Sequence, residues 1–289
     1  MVWRTTLSTT LSTEQIESYK REGYVSPLPG LSPGEADALR QRLEAFEADS
    51  GEKAGNVIRN KGHLKLMAVY ETVSHPEILD AVEGVLGPDI LCWGTSLFVK
   101  DPHDPAFVAW HQDSYYWGLE PDDVCSAWIA LAPSTLKNGA MQVVPGTHKA
   151  QQFNHQPSKV GSANMLFTHE EIAVDVDETK AVSLILEKGD MSLHHVKIVH
   201  GSPPNASDDR RYGLAIRYVA PHVRQTDSRD SALLVRGQDR YGYFRPDPVP
   251  SRDMDPAILD AVVGPFGSKT WGELGADKPA SGRSSRVPK

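Results

Sequence analysis

The decapeptide WHQDSYYWGL, residues 110–119, sets an imidazole and a carboxylate two positions apart in a run of aromatic rings. Alternate side chains of a strand share a face, so His111 and Asp113 point one way and Gln112 the other. A nitrogen and a carboxylate oxygen on one face are two ligands for a divalent ion, and two ligands hold such an ion poorly. A second imidazole would complete the two-histidine, one-carboxylate face of a non-haem Fe(II) site, with three positions left open for exchangeable ligands. Three candidates lie in KGDMSLHHVKIVHGSPPN: His194, His195 and His200. Adjacent His194 and His195 face opposite sides of a strand, which suits one of them to support a ligand rather than be one. His200 closes VKIVH just before a Gly-Pro loop, where a side chain can project from a strand rim. Spacing alone leaves His195 and His200 both open.

A second pattern adds positive charge. In RRYGLAIRY, Arg211, Gly213, Ala215 and Arg217 share one face, while Tyr212, Leu214 and Ile216 share the other. Two guanidiniums on a face otherwise lined by Gly and Ala suggest a recess that takes an anion, and the planar fork of arginine matches a carboxylate. Three rings follow the His-x-Asp pair. Tyr115 and Trp117, with Arg217, are candidate substrate contacts, since a ring face attracts an ammonium group by ~0.5–2 kcal/mol.

These residues need a scaffold. Residues from about 12 to 87 read as helical. Ser12 with Gln15 and Ser32 with Glu35 form capping boxes, and Ser74 with Glu77 repeats the pattern before a helix that Gly87 ends. From residue 90 to about 250 the period changes to short β-branched or aromatic runs bounded by Gly, Pro or Asp, among them DILCWGTSLFVK, DDVCSAWIAL and YGLAIRYVAP. Many short strands joined by turns indicate an antiparallel sandwich or barrel, and no glycine-rich nucleotide motif is present. Residues 149–180 form a long insertion of weak periodicity, suited to a lid or binding loop. One domain over residues 1–275, followed by a disordered tail at 276–289, is the expected organisation.

Composition narrows the function classes. Thirty Lys and Arg against 38 Asp and Glu give a net charge of −8, with no basic cluster, so nucleic acid is not an expected partner. The two cysteines, Cys92 and Cys125, are too few for a disulfide framework and read as buried thiols. No apolar run approaches a membrane span or a secretory signal, so no membrane association and a cytoplasmic location are expected.

Taken together, WHQD, NGAMQVVPGTHK, HHVKIVHGSPPNAS and RRYGLAIRY resemble the phytanoyl-CoA dioxygenase (PhyH-like) family of Fe(II)- and 2-oxoglutarate-dependent oxygenases. The resemblance covers roughly residues 15–250. It implies a mainly β fold with peripheral helices around a double-stranded β-helix (jelly roll, cupin-like) core. It implies metal ligation by His111, Asp113 and His200, choosing His200 over His195, and 2-oxoglutarate binding by Arg211. Arg217 matches more weakly, as a contact to cosubstrate or substrate. Asn138, Gly139, Pro145 and His148 fall on the strand–turn pair beside the metal and read as scaffold.

The implied activity is hydroxylation of an unactivated C–H bond of a small molecule, with Fe(II) as cofactor and 2-oxoglutarate and O2 as cosubstrates. Asp113 fills the position that halogenating relatives leave open for chloride. An aminoalkylphosphonate or amino-acid-like solute is the expected substrate, with basic residues of the insertion such as Lys159 as further anion contacts. A natural-product or carrier-bound intermediate is the rival substrate, and a non-catalytic cupin-like binding protein the rival class. A monomer or homodimer is expected.

Overall fold

Serine caps open the first two helices as their spacing predicts. Ser12 Oγ accepts from Gln15 N–H while Gln15 Oε1 accepts from Ser12 N–H, starting α1 (Thr13–Glu22). Ser32 and Glu35 repeat the arrangement for α2 (Pro33–Ser50). The short α3 (Ala54–Val57) and α4 (Met67–Val73) follow. At the third predicted cap the structure differs: Ser74 ends α4, and α5 (Pro76–Leu86) starts from His75 with no side-chain cap. Pro76 supplies a preset φ and has no N–H to satisfy, so it moves the helix start one residue beyond Ser74.

The computed structural model describes residues 10–158, 163–166, 170–226 and 230–263. The tail expected at 276–289 and Lys159 lie outside them.

A second departure is β1 (Tyr24–Pro29), a strand inside the stretch read as helical. Gly23, at φ 85°, turns the chain out of α1, and the strand then runs along an edge of the large sheet. Pro27 and Pro29 are tolerated there because an edge strand pairs on one side only. The sheet continues from β1 through β10 (Asp190–His195), β5 (Val124–Ala130), β12 (Arg211–Val219), β2 (Ile90–Lys100), β14 (Ser231–Arg236) and β15 (Arg245–Pro246). Neighbours are antiparallel except the last pair.

A smaller sheet has the order β3 (Val108–His111), β11 (Val199–Ser202), β6 (Gln142–Val144), β9 (Val182–Ser183). Two minor ladders pair β4 (Leu119–Glu120) with β13 (Arg224–Gln225), and β7 (His155–Pro157) with β8 (Glu170–Ile172), the latter inside the long insertion. A one-turn α6 (Ser114–Trp117) follows β3, and α7 (Pro256–Val263) ends the described chain.

Strand alternation sorts β12 between two environments. Tyr212, Leu214, Ile216 and Tyr218 pack outward with Leu39 and Leu43 of α2 and with Ile78, Leu79 and Val82 of α5. Each buried Leu or Ile contributes about 1.5–3 kcal/mol, which fixes the helical layer on this face. The other face of β12 turns toward the small sheet, where Ala215 and Trp128 meet Met141, Val143 and Ile198. Two facing antiparallel sheets with helices on one outer face make the expected jelly roll. Both cysteines are free and buried. Among the described residues no helix is long and apolar enough to cross a membrane.

Candidate active site

His111 and His200 are direct cross-strand partners on β3 and β11, with ring centroids 4.1 Å apart. Each ring is held by the carbonyl two residues before it: His111 Nδ1–H donates to Ala109 O at 2.9 Å and His200 Nδ1–H to Ile198 O at 3.0 Å. A carbonyl only accepts, so each Nδ1 carries the proton and each Nε2 keeps its lone pair for a metal.

Asp113 reaches them differently from the strand alternation expected of it. The strand ends at His111, and Asp113 is helical (φ −57°, ψ −38°) at the head of α6. That turn swings Asp113 Oδ1 to 3.5 Å from His111 Nε2. One donor atom from each of His111, Asp113 and His200 lies within 4.8 Å of the others.

Gln112 fastens the turn from behind. Its Nε2–H donates to Lys197 O (2.7 Å), its Oε1 accepts from Phe153 N–H (2.8 Å), and its backbone N–H donates to His155 Nε2 (3.2 Å). The insertion is thereby tied to the peptide between two of the candidate ligands.

Electrostatics suit the donor set to a divalent cation. Burial drives the His200 imidazole well below its usual range, with His111 adding to the effect and Asp113 opposing it. Burial pulls the Asp113 carboxyl upward, but the neighbouring His111 and His200 and the Arg217 guanidinium outweigh it and hold it below the carboxylate range. The adjacent histidines separate as strand geometry requires. His194 faces inward, its ring 5.0 Å from that of His200, while His195 turns outward to Tyr19 and His148.

Beyond the three donors, Arg211 is 2% exposed and lies over the Trp128 ring at 4.7 Å, its Nε buried with no hydrogen-bond partner. Burial lowers its pKa only to about 10, so it stays charged at neutral pH. A buried, charged guanidinium whose Nε has no partner among the described residues calls for an anion. A side chain at Gly213 would collide with this ring, since a Cβ would stand 1.9 Å from Trp128 Cζ2. Nearby, Lys100 Nζ donates to Ser202 Oγ at 2.7 Å, and burial, aided by Arg211, brings its pKa down to about 7. Gly139 abuts the loop after His200: a Cβ would lie 2.2 Å from Pro203 O.

Arg217 donates from Nη1 to Ser96 Oγ (2.7 Å) and sits over Trp117 at 5.3 Å. It lines an outer cavity of about 320 Å³ together with His111, Asp113, Phe98, Tyr116, Trp117 and Met165. Tyr115 is outside that cavity: it is 37% exposed and stacks on His155 at 4.1 Å. Sequence reasoning did not single out Trp128, Ser126 or Met165. Only the i, i+2 spacing of Ser126 and Trp128 in VCSAWIAL offered a hint that the first two share a face.

A jelly roll carrying two imidazoles, a carboxylate and a buried arginine in one interior defines the class of non-haem Fe(II), 2-oxoglutarate-dependent oxygenases. Within that class the chain belongs to the phytanoyl-CoA dioxygenase (PhyH) family, whose pattern matches residues 19–213. It is 32% identical over 176 residues to a probable alpha-ketoglutarate-dependent hypophosphite dioxygenase of Stutzerimonas stutzeri, covering 61% of each chain. To the human peroxisomal phytanoyl-CoA dioxygenase it is 32% identical over 163 residues, covering 54% of this chain and 47% of that one. The match therefore spans less than two thirds of either relative's length. Among solved structures, the non-heme monooxygenase ThoJ superposes with a TM-score of 0.75 at 37% identity, covering 85% of this chain and 92% of that one. ThoJ has also been solved as a nickel complex.

Proposed function

We propose that the protein is an Fe(II)- and 2-oxoglutarate-dependent dioxygenase that hydroxylates an unactivated C–H bond of a small molecule. The observation that carries this reading is buried Arg211, its Nε without a hydrogen-bond partner among the described residues, facing the same interior as the converging His111, Asp113 and His200 donors. His111, Asp113 and His200 would hold Fe(II), and Arg211 the distal carboxylate of 2-oxoglutarate. Bound Fe(II) with 2-oxoglutarate and O2 supplies the oxidant for C–H hydroxylation, the cosubstrate leaving as succinate and CO2.

The chain's own part is positioning. The Nδ1 tethers keep both imidazoles aimed, Gln112 fixes the turn that presents Asp113, and the Trp128 ring underlies the Arg211 guanidinium. Phe98, Tyr116 and Trp117 wall the outer cavity beside the donors. The carboxylate of Asp113 takes the position a halide would need, which favours hydroxylation over halogenation.

A cavity of about 320 Å³ suits a small solute. An aminoalkylphosphonate or amino-acid-like compound is the substrate class proposed, with Arg217 at its anionic end. The hypophosphite relative is consistent with a small phosphorus oxyanion in this fold.

The test is anaerobic titration of the protein with Fe(II) and 2-oxoglutarate. A metal-to-ligand charge-transfer band is expected in the wild type and absent in His200→Ala. Succinate formation coupled to O2 uptake across a metabolite panel then reports the substrate. No band, or a band that His200→Ala leaves unchanged, would overturn the reading.

A further inference from the structure

One row of residues crosses the large sheet behind the candidate metal ligands. Gly94 on β2 pairs with Arg217 on β12, Arg217 with Ser126 on β5, and Ser126 with His194 on β10. Arg217, Ser126 and His194 line the same inner pocket as His111, Asp113 and His200, a space of about 40 Å³. Their polar atoms are left short of partners. Among the described residues, Ser126 Oγ and His194 Nδ1 have no hydrogen-bond partner, in residues 2% and 3% exposed. Among the described residues the Arg217 guanidinium makes one hydrogen bond, to the neutral hydroxyl of Ser96.

A buried hydroxyl and a buried imidazole nitrogen without partners, beside a guanidinium with one neutral acceptor, are costly to keep unless something arrives to bond them. A guanidinium, a hydroxyl and an imidazole N–H can all donate to one oxyanion. Formal charge points the same way. Fe(II) brings two positive charges, Arg211 and Arg217 one each, Asp113 one negative charge and 2-oxoglutarate two. One positive charge remains uncompensated, and a water molecule would not balance it.

We infer that Arg217, Ser126 and His194 form an oxyanion-binding subsite beside the metal, and that the substrate places its carboxylate, phosphinate or phosphonate group there. The inference rests on the proposed function for the position of the metal, and it narrows the substrate class to small anions. Arg211 stands six residues away on the same inward face of β12, which leaves it to the cosubstrate.

The test uses full-length protein, metal-free and loaded with nickel and 2-oxoglutarate, titrated calorimetrically with methylphosphonate and with acetate. Binding of at least one anion is expected in the nickel-loaded wild type, weakened tenfold or more by Arg217→Gln and by the double variant S126A/H194F. His194→Gln retains a donor and should recover part of the affinity, which separates loss of the subsite from damage to the fold. The inference is overturned if neither anion binds, if S126A/H194F binds as well as the wild type, or if binding depends on Arg211 and is competed by 2-oxoglutarate. Should the row bind oxyanion in protein that takes up neither nickel nor 2-oxoglutarate, the subsite stands and the oxygenase reading falls.

Discussion

Replacing Gly213 by alanine tests whether the sheet interior sets the cosubstrate arginine. The new Cβ would stand 1.9, 2.4 and 2.5 Å from Trp128 Cζ2, Cε2 and Cη2. An ordinary carbon contact needs about 3.5 Å, so the indole must retreat by roughly 1.5 Å. Trp128 is 3% exposed and has little room to do so. Overpacking of this kind costs about 1–3 kcal/mol, and in a chain of this size each kcal/mol lowers Tm by about 2–4 °C. A fall of about 2–12 °C is therefore expected.

The retreat also removes the surface on which Arg211 lies at 4.7 Å, a contact worth about 0.5–2 kcal/mol. The affinity for 2-oxoglutarate should drop about 2- to 30-fold. Scanning calorimetry and anaerobic titration with 2-oxoglutarate measure the two effects. Gly34→Ala is the control, since a Cβ there meets nothing within 4 Å. If Gly213→Ala melts within 1 °C of the wild type and binds 2-oxoglutarate equally well, Trp128 does not order Arg211 and the packing argument is wrong.

Three further outcomes follow from particular contacts. Gln112→Ala strands Lys197 O and Phe153 N–H, so stability should fall by about 1–3 kcal/mol and metal affinity about 10- to 100-fold, read by competition with a chromophoric chelator. Burial holds His155, His194 and His195 at about 4, below the 6.5 of a free imidazole, so the unfolded chain binds protons the native one does not. Metal-free protein should keep its full stability above about pH 6.5 and lose it steadily toward pH 4, by at most about 3 kcal/mol per ring; urea midpoints that stay flat across this window would contradict the assignment. Asp247→Ala removes the carboxylate paired with Lys61 at 3.1 Å and His63 at 3.3 Å, and leaving Lys61 buried without it should cost about 3–5 kcal/mol in chemical denaturation.

Legibility in the sequence followed how local each determinant is. The inward and outward faces of β12 were readable because both are buried against different layers, which makes alternation strict from Arg211 to Tyr218. His111, Asp113 and His200 stood out by residue type and by motif, and the structure brings their donor atoms together. The way Asp113 arrives was not readable, since a strand and a one-turn helix can begin with the same residues. The same turn explains the rings: α6 advances about 100° per residue, so Tyr115 faces solvent while Tyr116 and Trp117 face the cavity, whereas strand alternation pairs Tyr115 with Trp117. β1 was hidden by two prolines that only an edge position tolerates. The row from Arg217 to His194 was out of reach, because register between strands 70 to 90 residues apart in sequence is set by packing and not by local pattern.

His111 and His200 belong to the small sheet, whereas Arg211, Arg217, Ser126 and His194 belong to the large one. Any molecule held by both sets is a rivet through the sandwich, and its grip depends on the gap between the layers. Slight parting of the sheets would lengthen every one of those contacts at once. Occupancy of the interior and cohesion of the two sheets should then rise and fall together, so that a filled site resists opening at β3 and β11 more than an empty one does.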